Sequence, residues 1–84
     1  MFYLYILKSK KDLQFYIGST KDLRKRLKYH NEGKVFSTKL RYPFDLVYYE
    51  AYKSEKDARK RECNLKLRSR AFAQLKNRIR DSLK

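Results

Sequence analysis

Two predicted helices carry charged side chains on the faces that should pack toward a core. In the first helix, Arg26 and His30 share an i, i+3, i+4, i+7 stripe with two leucines. In the next helix, Glu62 shares a stripe with Ala58 and Leu65. Such charges are costly unless they have partners. A buried ion pair between Arg26 and Glu62 is one solution, and a phosphate-binding arginine beside a metal-binding carboxylate is another.

Tyrosine hydroxyls are the second group that could do chemistry. Tyr3 and Tyr5 share one side of the first predicted strand, and Tyr16 and Gly18 share one side of the second. The opposite sides of both strands are mainly aliphatic. If a hairpin brings the two hydroxyl-bearing sides together, Tyr3, Tyr5 and Tyr16 form a cluster. The alternative is that tyrosine is present only because it suits a strand.

The elements that must position these groups follow from hydrophobic periodicity and turn signals. Three segments are predicted strands: 2–8, 14–19 and 44–52. Three are predicted helices: about 21–32, 55–66 and 69–82. Thr20 is the expected N-cap of the first helix, Ser54 with Asp57 resembles a capping box, and 34–43 is a predicted loop. These elements predict one α+β domain, residues 1–84, with a three-stranded mostly antiparallel sheet flanked by helices in the order ββαβαα.

The charge of the chain predicts a polyanionic partner. Lys and Arg number 23 against 9 Asp and Glu, a net charge of +14. Self-repulsion of this size costs stability, and nucleic acid is the commonest partner that offsets it. The excess lies in residues 21–41 and 59–84, whereas 42–58 is neutral to acidic, which favours one charged face. An anionic membrane surface is the rival partner.

Neither a membrane span nor a disulfide is expected. No apolar run approaches the length of a spanning helix, and the N-terminal residues are typical of a strand and not of a signal peptide. Cys63 is the single cysteine, so the chain can form no internal disulfide and no cysteine-based zinc site. The low cysteine content favours a reducing cytoplasm as the compartment.

The order and spacing of these residues resemble the GIY-YIG nuclease superfamily. Tyr3-Leu4-Tyr5, ten residues, and then Tyr16-Ile17-Gly18 resemble its paired signature, with Tyr3 where the name-giving glycine would stand. The likeness continues through three further segments: 18–31, 42–50 and 58–66. It covers about residues 2–80, and it is closest to the small stand-alone bacterial proteins similar to the N-terminal nuclease domain of UvrC.

The resemblance implies a role for each candidate catalytic residue. Tyr5 is the expected general base for a water, and Tyr16 helps to position water or phosphate. Arg26 matches the catalytic arginine of the family, and His30 falls one turn later, near the scissile phosphate. Glu62 matches the glutamate that holds a single Mg²⁺ or Mn²⁺. Because a tyrosine hydroxyl in water has a pKa of about 10, we expect the cation and Arg26 to lower the pKa of Tyr5.

The resemblance also implies a DNA substrate and a surface that contacts it. The predicted nucleic-acid-binding residues are Tyr3, Gly18, Ser19, Thr20, Lys21, Arg24, Lys25, Lys39, Arg41 and Lys66. The likeness to the UvrC domain implies DNA repair as the setting. A domain of this size has no obvious reader for base sequence, so DNA shape or a partner protein would supply specificity. The oligomeric state and the choice between DNA and RNA stay open.

Three functions are compatible with these observations. The first is a Mg²⁺-dependent DNA endonuclease, which is favoured because all five polar site positions are filled. The second is a nucleic-acid-binding module that keeps the scaffold but has weak or no catalytic activity. The third is an anionic-membrane binder, which leaves the inward directions of Arg26 and Glu62 unexplained.

Overall fold

The computed structural model describes all residues, 1–84, and it confirms the predicted α+β architecture and the order ββαβαα. The strands are β1 (Phe2–Ser9), β2 (Phe15–Thr20) and β3 (Phe44–Tyr52). The helices are α1 (Leu23–Asn31), α2 (Glu55–Leu67) and α3 (Ser69–Arg78). Two short 3-10 turns complete the chain, at Phe36–Thr38 and Arg80–Leu83. No helix has the length and apolarity that crossing a membrane requires.

The sheet has β1 at its centre, in the order β2-β1-β3, and both pairings are antiparallel. Tyr5 is the midpoint of this arrangement, since it lies opposite Gly18 of β2 and Tyr49 of β3. An irregularity in the β3 register follows at Ile6 and Leu7. The edges of the sheet are therefore β2 and β3, and the backbone of β1 is enclosed between them.

The two faces of the sheet pack against different helices. Leu4, Ile6 and Ile17 pack against Leu65 of α2 and Leu75 of α3. On the opposite face, the buried residues are Tyr5, Leu7 and Phe44, and side chains of β2, α1 and β3 pack against them. The predicted separation of an aliphatic side from a hydroxyl-bearing side is thus confirmed, and α1 covers the hydroxyl-bearing side.

The helix caps differ from the sequence predictions. The N-cap of α1 is Asp22, whose carboxylate accepts a hydrogen bond from the backbone N of Lys25 at 3.1 Å. The prediction of Thr20 in this role is wrong, because its hydroxyl bonds to the backbone of Asp22 instead. Ser54 does precede α2 as its N-cap, but its side chain makes no capping bond, so the predicted capping box is wrong.

Candidate active site

The hydroxyl of Tyr5 is one end of a buried series of hydrogen bonds. Its oxygen lies 2.9 Å from Nε2 of His30, and Nδ1 of that ring lies 2.7 Å from Oγ1 of Thr38. Tyr5 is 1% exposed and His30 is 0% exposed. The series connects the central strand, the last turn of α1 and the loop after it. It therefore fixes the direction of the phenol.

Burial sets the charge states of Tyr5 and His30. Desolvation, with a smaller contribution from the positive charge of Arg26, lowers the pKa of His30 to about 4. Desolvation also raises the pKa of Tyr5 to about 12, although Arg26 opposes the rise. Arg26 lowers the pKa of Tyr5 as expected, but without a cation burial outweighs the guanidinium. Both groups are neutral at pH 7.

Gly18 gives the Tyr5 hydroxyl the room that it occupies. A Cβ at position 18 would lie 2.5 Å from that oxygen and 3.1 Å from a ring carbon of Tyr16. The Tyr16 ring packs against both neighbours, with its centroid 6.3 Å from that of Tyr5 and 5.0 Å from that of His30. The second signature therefore brings a tyrosine and a glycine to the Tyr5 hydroxyl, as the strand alternation predicted, whereas the ring of Tyr3, the third member of the predicted cluster, packs against Tyr49.

Arg26 supplies a hydrogen-bond donor without an acceptor. Its Nε atom is buried and has no partner. The guanidinium is close enough to Tyr5 and His30 to influence the pKa of both. A buried donor that lacks an acceptor costs free energy. The arrangement is typical of a site whose acceptor, an anion, arrives with the ligand.

Glu62 reaches the same site from the opposite face of the sheet. The hydroxyl of Ser19 donates to Oε1 at 2.6 Å, and Nζ of Lys66 lies 2.6 Å from Oε2. The alternative ion pair between Glu62 and Arg26 is not formed. The charge of Glu62 nevertheless contributes to the raised pKa of Tyr5. Ser19 and Gly18 are neighbours in β2 and point to opposite faces, so the site is assembled around this edge strand.

The donor set at this edge fits a loosely held divalent cation. No three His, Cys, Asp or Glu side chains come together in the chain, so a cation at Glu62 would have few protein ligands. Mg²⁺ keeps several waters and commonly takes one or two protein carboxylates together with phosphate oxygens. The unpartnered Nε of Arg26 is consistent with a phosphate at the same place. The residues therefore fit the group that the sequence resemblance implied.

Four of the predicted DNA-contact residues line one groove between α1 and the sheet. Its volume is about 690 Å³, and Tyr3, Lys21, Arg24 and Lys25 are among its lining residues. Tyr49, which sequence reasoning did not single out, lies beside Tyr3 with ring centroids 5.9 Å apart. This groove lies on the face of the sheet that carries the Tyr5 hydroxyl. It combines positive charge with aromatic surface.

Other predicted contacts have structural partners. Arg41 pairs with Asp12 at 2.7 Å, and its side chain is only 26% exposed. The Lys39 ammonium lies 4.6 Å from the ring centroid of Phe36, and both residues are exposed. His30 has no exposed surface, so the predicted contact with a scissile phosphate is not available to it in this conformation. Its hydrogen bonds are with Tyr5 and Thr38.

Sequence reasoning missed three polar partners that hold the site in place. The hydroxyl of Thr38 forms a hydrogen bond with His30, and no sequence pattern in the segment after α1 predicts this contact. Glu50 and Arg61 form a half-buried ion pair, with Nε 3.0 Å from Oε1. Here a signal was present, because Tyr48, Glu50 and Tyr52 alternate on one face of β3, and both hydroxyls donate to the carboxylate.

The fold and the site together define a GIY-YIG catalytic domain. The model of that family matches residues 1–78, and the chain belongs to the family. Within it, the chain is similar to the UPF0213 proteins. It is 44% identical to the one from Staphylococcus saprophyticus over 69 residues, which covers 81% of this chain and 83% of the relative.

Two further UPF0213 proteins support this assignment. Identity with YazA of Bacillus subtilis is 36% over 74 residues, or 87% of this chain and 74% of the relative. The solution NMR structure of BH0048 from Bacillus halodurans aligns with a TM-score of 0.56 and 40% sequence identity. That alignment covers 89% of this chain and 82% of the solved one. The likeness therefore extends to the sequence and to the fold.

Proposed function

We propose that this protein is a metal-dependent DNA endonuclease that hydrolyses phosphodiester bonds. The observation that carries the proposal is the buried Nε of Arg26, which has no partner and lies beside the Tyr5 hydroxyl. A phosphate oxygen supplies the acceptor that this donor lacks. The membership of the GIY-YIG family supports a nuclease, and the net charge of +14 supports a nucleic-acid substrate.

Each residue then has a chemical task. Arg26 neutralises the charge that develops on the phosphate during attack. Tyr5 orients the attacking water and, once its own hydroxyl proton has left to solvent, takes a proton from that water as the phenolate, with its oxygen held beside Nε2 of His30. The Tyr16 ring packs against Tyr5 and His30 and restricts the position of the attacking water. A divalent cation held by Glu62 would favour the phenolate form of Tyr5 and stabilise the leaving oxygen.

In this proposal His30 is a positioning residue. The pKa of Tyr5 lies far above that of His30, so the proton between them stays on the phenol in the DNA-free site. The neutral ring accepts from the hydroxyl through Nε2 when Nδ1 carries its hydrogen toward Thr38. The two lone pairs of the phenol oxygen can then accept from Arg26, whose hydrogen bond lowers the pKa of Tyr5, and from a water.

One observation favours the second candidate, a nucleic-acid-binding module with little activity. Both carboxylate oxygens of Glu62 already have partners, in Ser19 and Lys66. A carboxylate that keeps these partners would hold no cation. The basic groove beside α1 would still bind DNA. The two candidates therefore differ in one measurable property, which is cleavage.

The decisive experiment compares Glu62→Gln with the unmodified protein on linear, nicked, branched and flapped DNA, with Mg²⁺ and with Mn²⁺. We expect Glu62→Gln to lower the cleavage rate by about a hundredfold or more, since it removes the carboxylate that would hold the cation. DNA affinity should change by less than about threefold. Glu55→Gln, an exposed change in the same helix, is the matched control and should cleave normally.

Failure of the unmodified protein to cut any of these substrates with either metal would establish the binding-module function instead. Equal cleavage by Glu62→Gln and Glu55→Gln would remove Glu62 from the mechanism. The setting is part of the same proposal: a cytoplasmic location, from the single cysteine, and DNA repair, from the likeness to the UvrC domain. A partner protein that supplies specificity stays a prediction.

A further inference from the structure

Lys66 places a positive charge inside the candidate active site. It follows Glu62 by one helical turn in α2, and its Nζ lies 2.6 Å from Oε2 of that carboxylate. The same ammonium lies 5.8 Å from the ring centroid of Tyr16. Its side chain is 45% exposed. The ammonium is therefore held between the Glu62 carboxylate and the Tyr16 ring, although its half-exposed stem is free enough to move.

The charges at the site oppose a divalent cation when DNA is absent. Glu62 contributes one negative charge, and Lys66 and Arg26 contribute one positive charge each. The rest of the chain adds to the positive field, since the protein carries +14 in total. Like charges a few ångströms apart repel by about 1 kcal/mol in water and by more at a partly buried site. Only the phosphates of a substrate would reverse the local sign.

Ser19 gives the carboxylate a second, independent support. Its hydroxyl donates to Oε1, the oxygen that Lys66 does not contact. If the ammonium leaves, Glu62 therefore keeps its direction, and Oε2 becomes available to a cation. The pair of contacts separates two tasks: Ser19 orients the carboxylate, and Lys66 neutralises it.

From this arrangement we propose that Lys66 is an internal counter-ion that exchanges partners when DNA binds. This inference rests on the proposed function. In the DNA-free protein, the ammonium neutralises Glu62 and weakens metal binding. When a phosphate enters, the flexible lysine stem carries the ammonium from Oε2 to a phosphate oxygen. Metal and DNA then bind with positive coupling, because each lowers the cost of binding the other.

The first measurement is Mn²⁺ affinity of the DNA-free protein, by electron paramagnetic resonance or calorimetry. Lys66→Met removes the charge and keeps a stem of similar length. We expect it to bind Mn²⁺ about fivefold more tightly or better. Lys60→Met, an exposed lysine of the same helix, is the matched control for net charge and should change the affinity much less. Equal affinities of the two variants, or weaker binding by Lys66→Met, would overturn the exchange.

The second measurement tests the coupling in a Tyr5→Phe background, which is expected to bind DNA without cutting it. Added DNA should tighten Mn²⁺ binding to the Tyr5→Phe protein by a larger factor than to the same protein with Lys66→Met. An equal factor would refute the inference, and so would absence of Mn²⁺ binding to both proteins with DNA present. Circular dichroism and urea unfolding check that both variants fold.

The two proposals fail in different ways. If the unmodified protein cuts no DNA but Lys66→Met binds Mn²⁺ more tightly, the counter-ion role stands and the nuclease activity does not. If the unmodified protein cuts DNA but Lys66→Met leaves metal affinity and coupling unchanged, the nuclease activity stands and Lys66 is an ordinary surface partner of Glu62.

Discussion

At the scale of single residues, the hydrogen-bonded chain from Tyr5 through His30 to Thr38 is the most constrained part of the site. A histidine without exposed surface, held at both nitrogens, has a depressed pKa because its charged form cannot be hydrated. The same burial keeps Tyr5 protonated at pH 7. In the proposed mechanism these residues would therefore contribute to stability as well as to chemistry.

We predict an acid-induced loss of stability that comes from His30. The folded-state pKa of about 4 lies below the ordinary value of 6.5. The unfolded chain therefore binds more protons between these values, and stability falls as the pH falls through that window. The free energy of unfolding should drop by about 2–3 kcal/mol between pH 7 and pH 4.5. Urea unfolding at both values measures it.

The control for this prediction is His30→Gln, which keeps a polar side chain but cannot titrate. Its stability at pH 7 should be lower than that of the unmodified protein, and it should change little down to pH 4.5. The lowered pKa of Glu50 adds to acid sensitivity only below about pH 4.5, so it should contribute little in this window. A parallel decline in both proteins would therefore show that groups other than His30 cause the loss.

Sequence reasoning succeeds at this scale where helix spacing determines direction. The stripe of α1 predicts that Arg26 and His30 point inward, and the structure has them there. The spacing of Lys66 from Glu62 also allows an i, i+4 pair, although the sequence could not show which oxygen or which neighbour the ammonium meets. The contact between His30 and Thr38 depends on how a loop folds, and no local pattern encodes it.

At the scale of elements, the position of α2 decides where Glu62 lies. The preceding residue, Arg61, pairs with Glu50 of β3, and the hydroxyls of Tyr48 and Tyr52 donate to the same carboxylate. Glu62 itself contacts Ser19 of β2. Two adjacent residues thus bind α2 to the two edge strands, which fixes the rotation of the helix about its axis.

We predict measurable coupling between Glu50 and Arg61. Their side chains are 18% and 26% exposed, so each single change, Glu50→Gln or Arg61→Met, leaves a partly desolvated charge without its partner. The double variant should lose at least about 1 kcal/mol less than the sum of the two single losses. Chemical unfolding of the four proteins measures this coupling.

The exposed pair of Glu55 and Arg59 is the control for that cycle. Its atoms are 3.7 Å apart on the surface of the same helix, and both side chains are more than half exposed. Coupling there should stay below about 0.5 kcal/mol. If the two cycles give equal values, the Glu50 pair is no more than a surface interaction, and the position of α2 depends on its apolar contacts alone.

The elements themselves were predictable, whereas their ends were not. Strand alternation and helical periodicity give the order ββαβαα, because each pattern extends over many residues. A cap depends on the geometry of one residue. Thr20, Asp22 and Ser54 are all good capping types, and the turn that follows β2 decides that the carboxylate of Asp22 bonds to the helix.

At the scale of the whole molecule, positive charge should dominate the binding of DNA. The groove beside α1 brings Lys21, Arg24 and Lys25 to one side, next to the candidate active site. Each phosphate that a basic side chain neutralises steepens the fall of log affinity with log salt by about 0.9. The fold places α1, from the first basic block of the sequence, and α2 and α3, which carry much of the second, on opposite faces of the sheet, so the expectation of one charged face is wrong.

We predict that the logarithm of DNA affinity falls against the logarithm of salt concentration with a slope of about −3 or steeper. Fluorescence anisotropy measures it, and the Glu62→Gln variant is used so that the DNA is not cleaved. Lys25→Met should make the slope shallower by about 0.9, the value for one phosphate contact, because this residue lines the groove. Lys56→Met, an exposed change outside the groove, should leave it unchanged. An unchanged slope in Lys25→Met would place the DNA elsewhere on the protein.

The position of β2 at the edge of the sheet has a consequence for assembly. Its outer backbone groups are not paired within the chain, and the same strand carries Tyr16, Gly18 and Ser19. An added strand from another molecule would bond to that edge and close the entrance to the site. An added strand at β3 would instead lie beside the groove that Leu46 and Tyr49 of that strand line. Self-association through either edge would therefore compete with DNA, at the candidate active site for β2 and at the groove for β3.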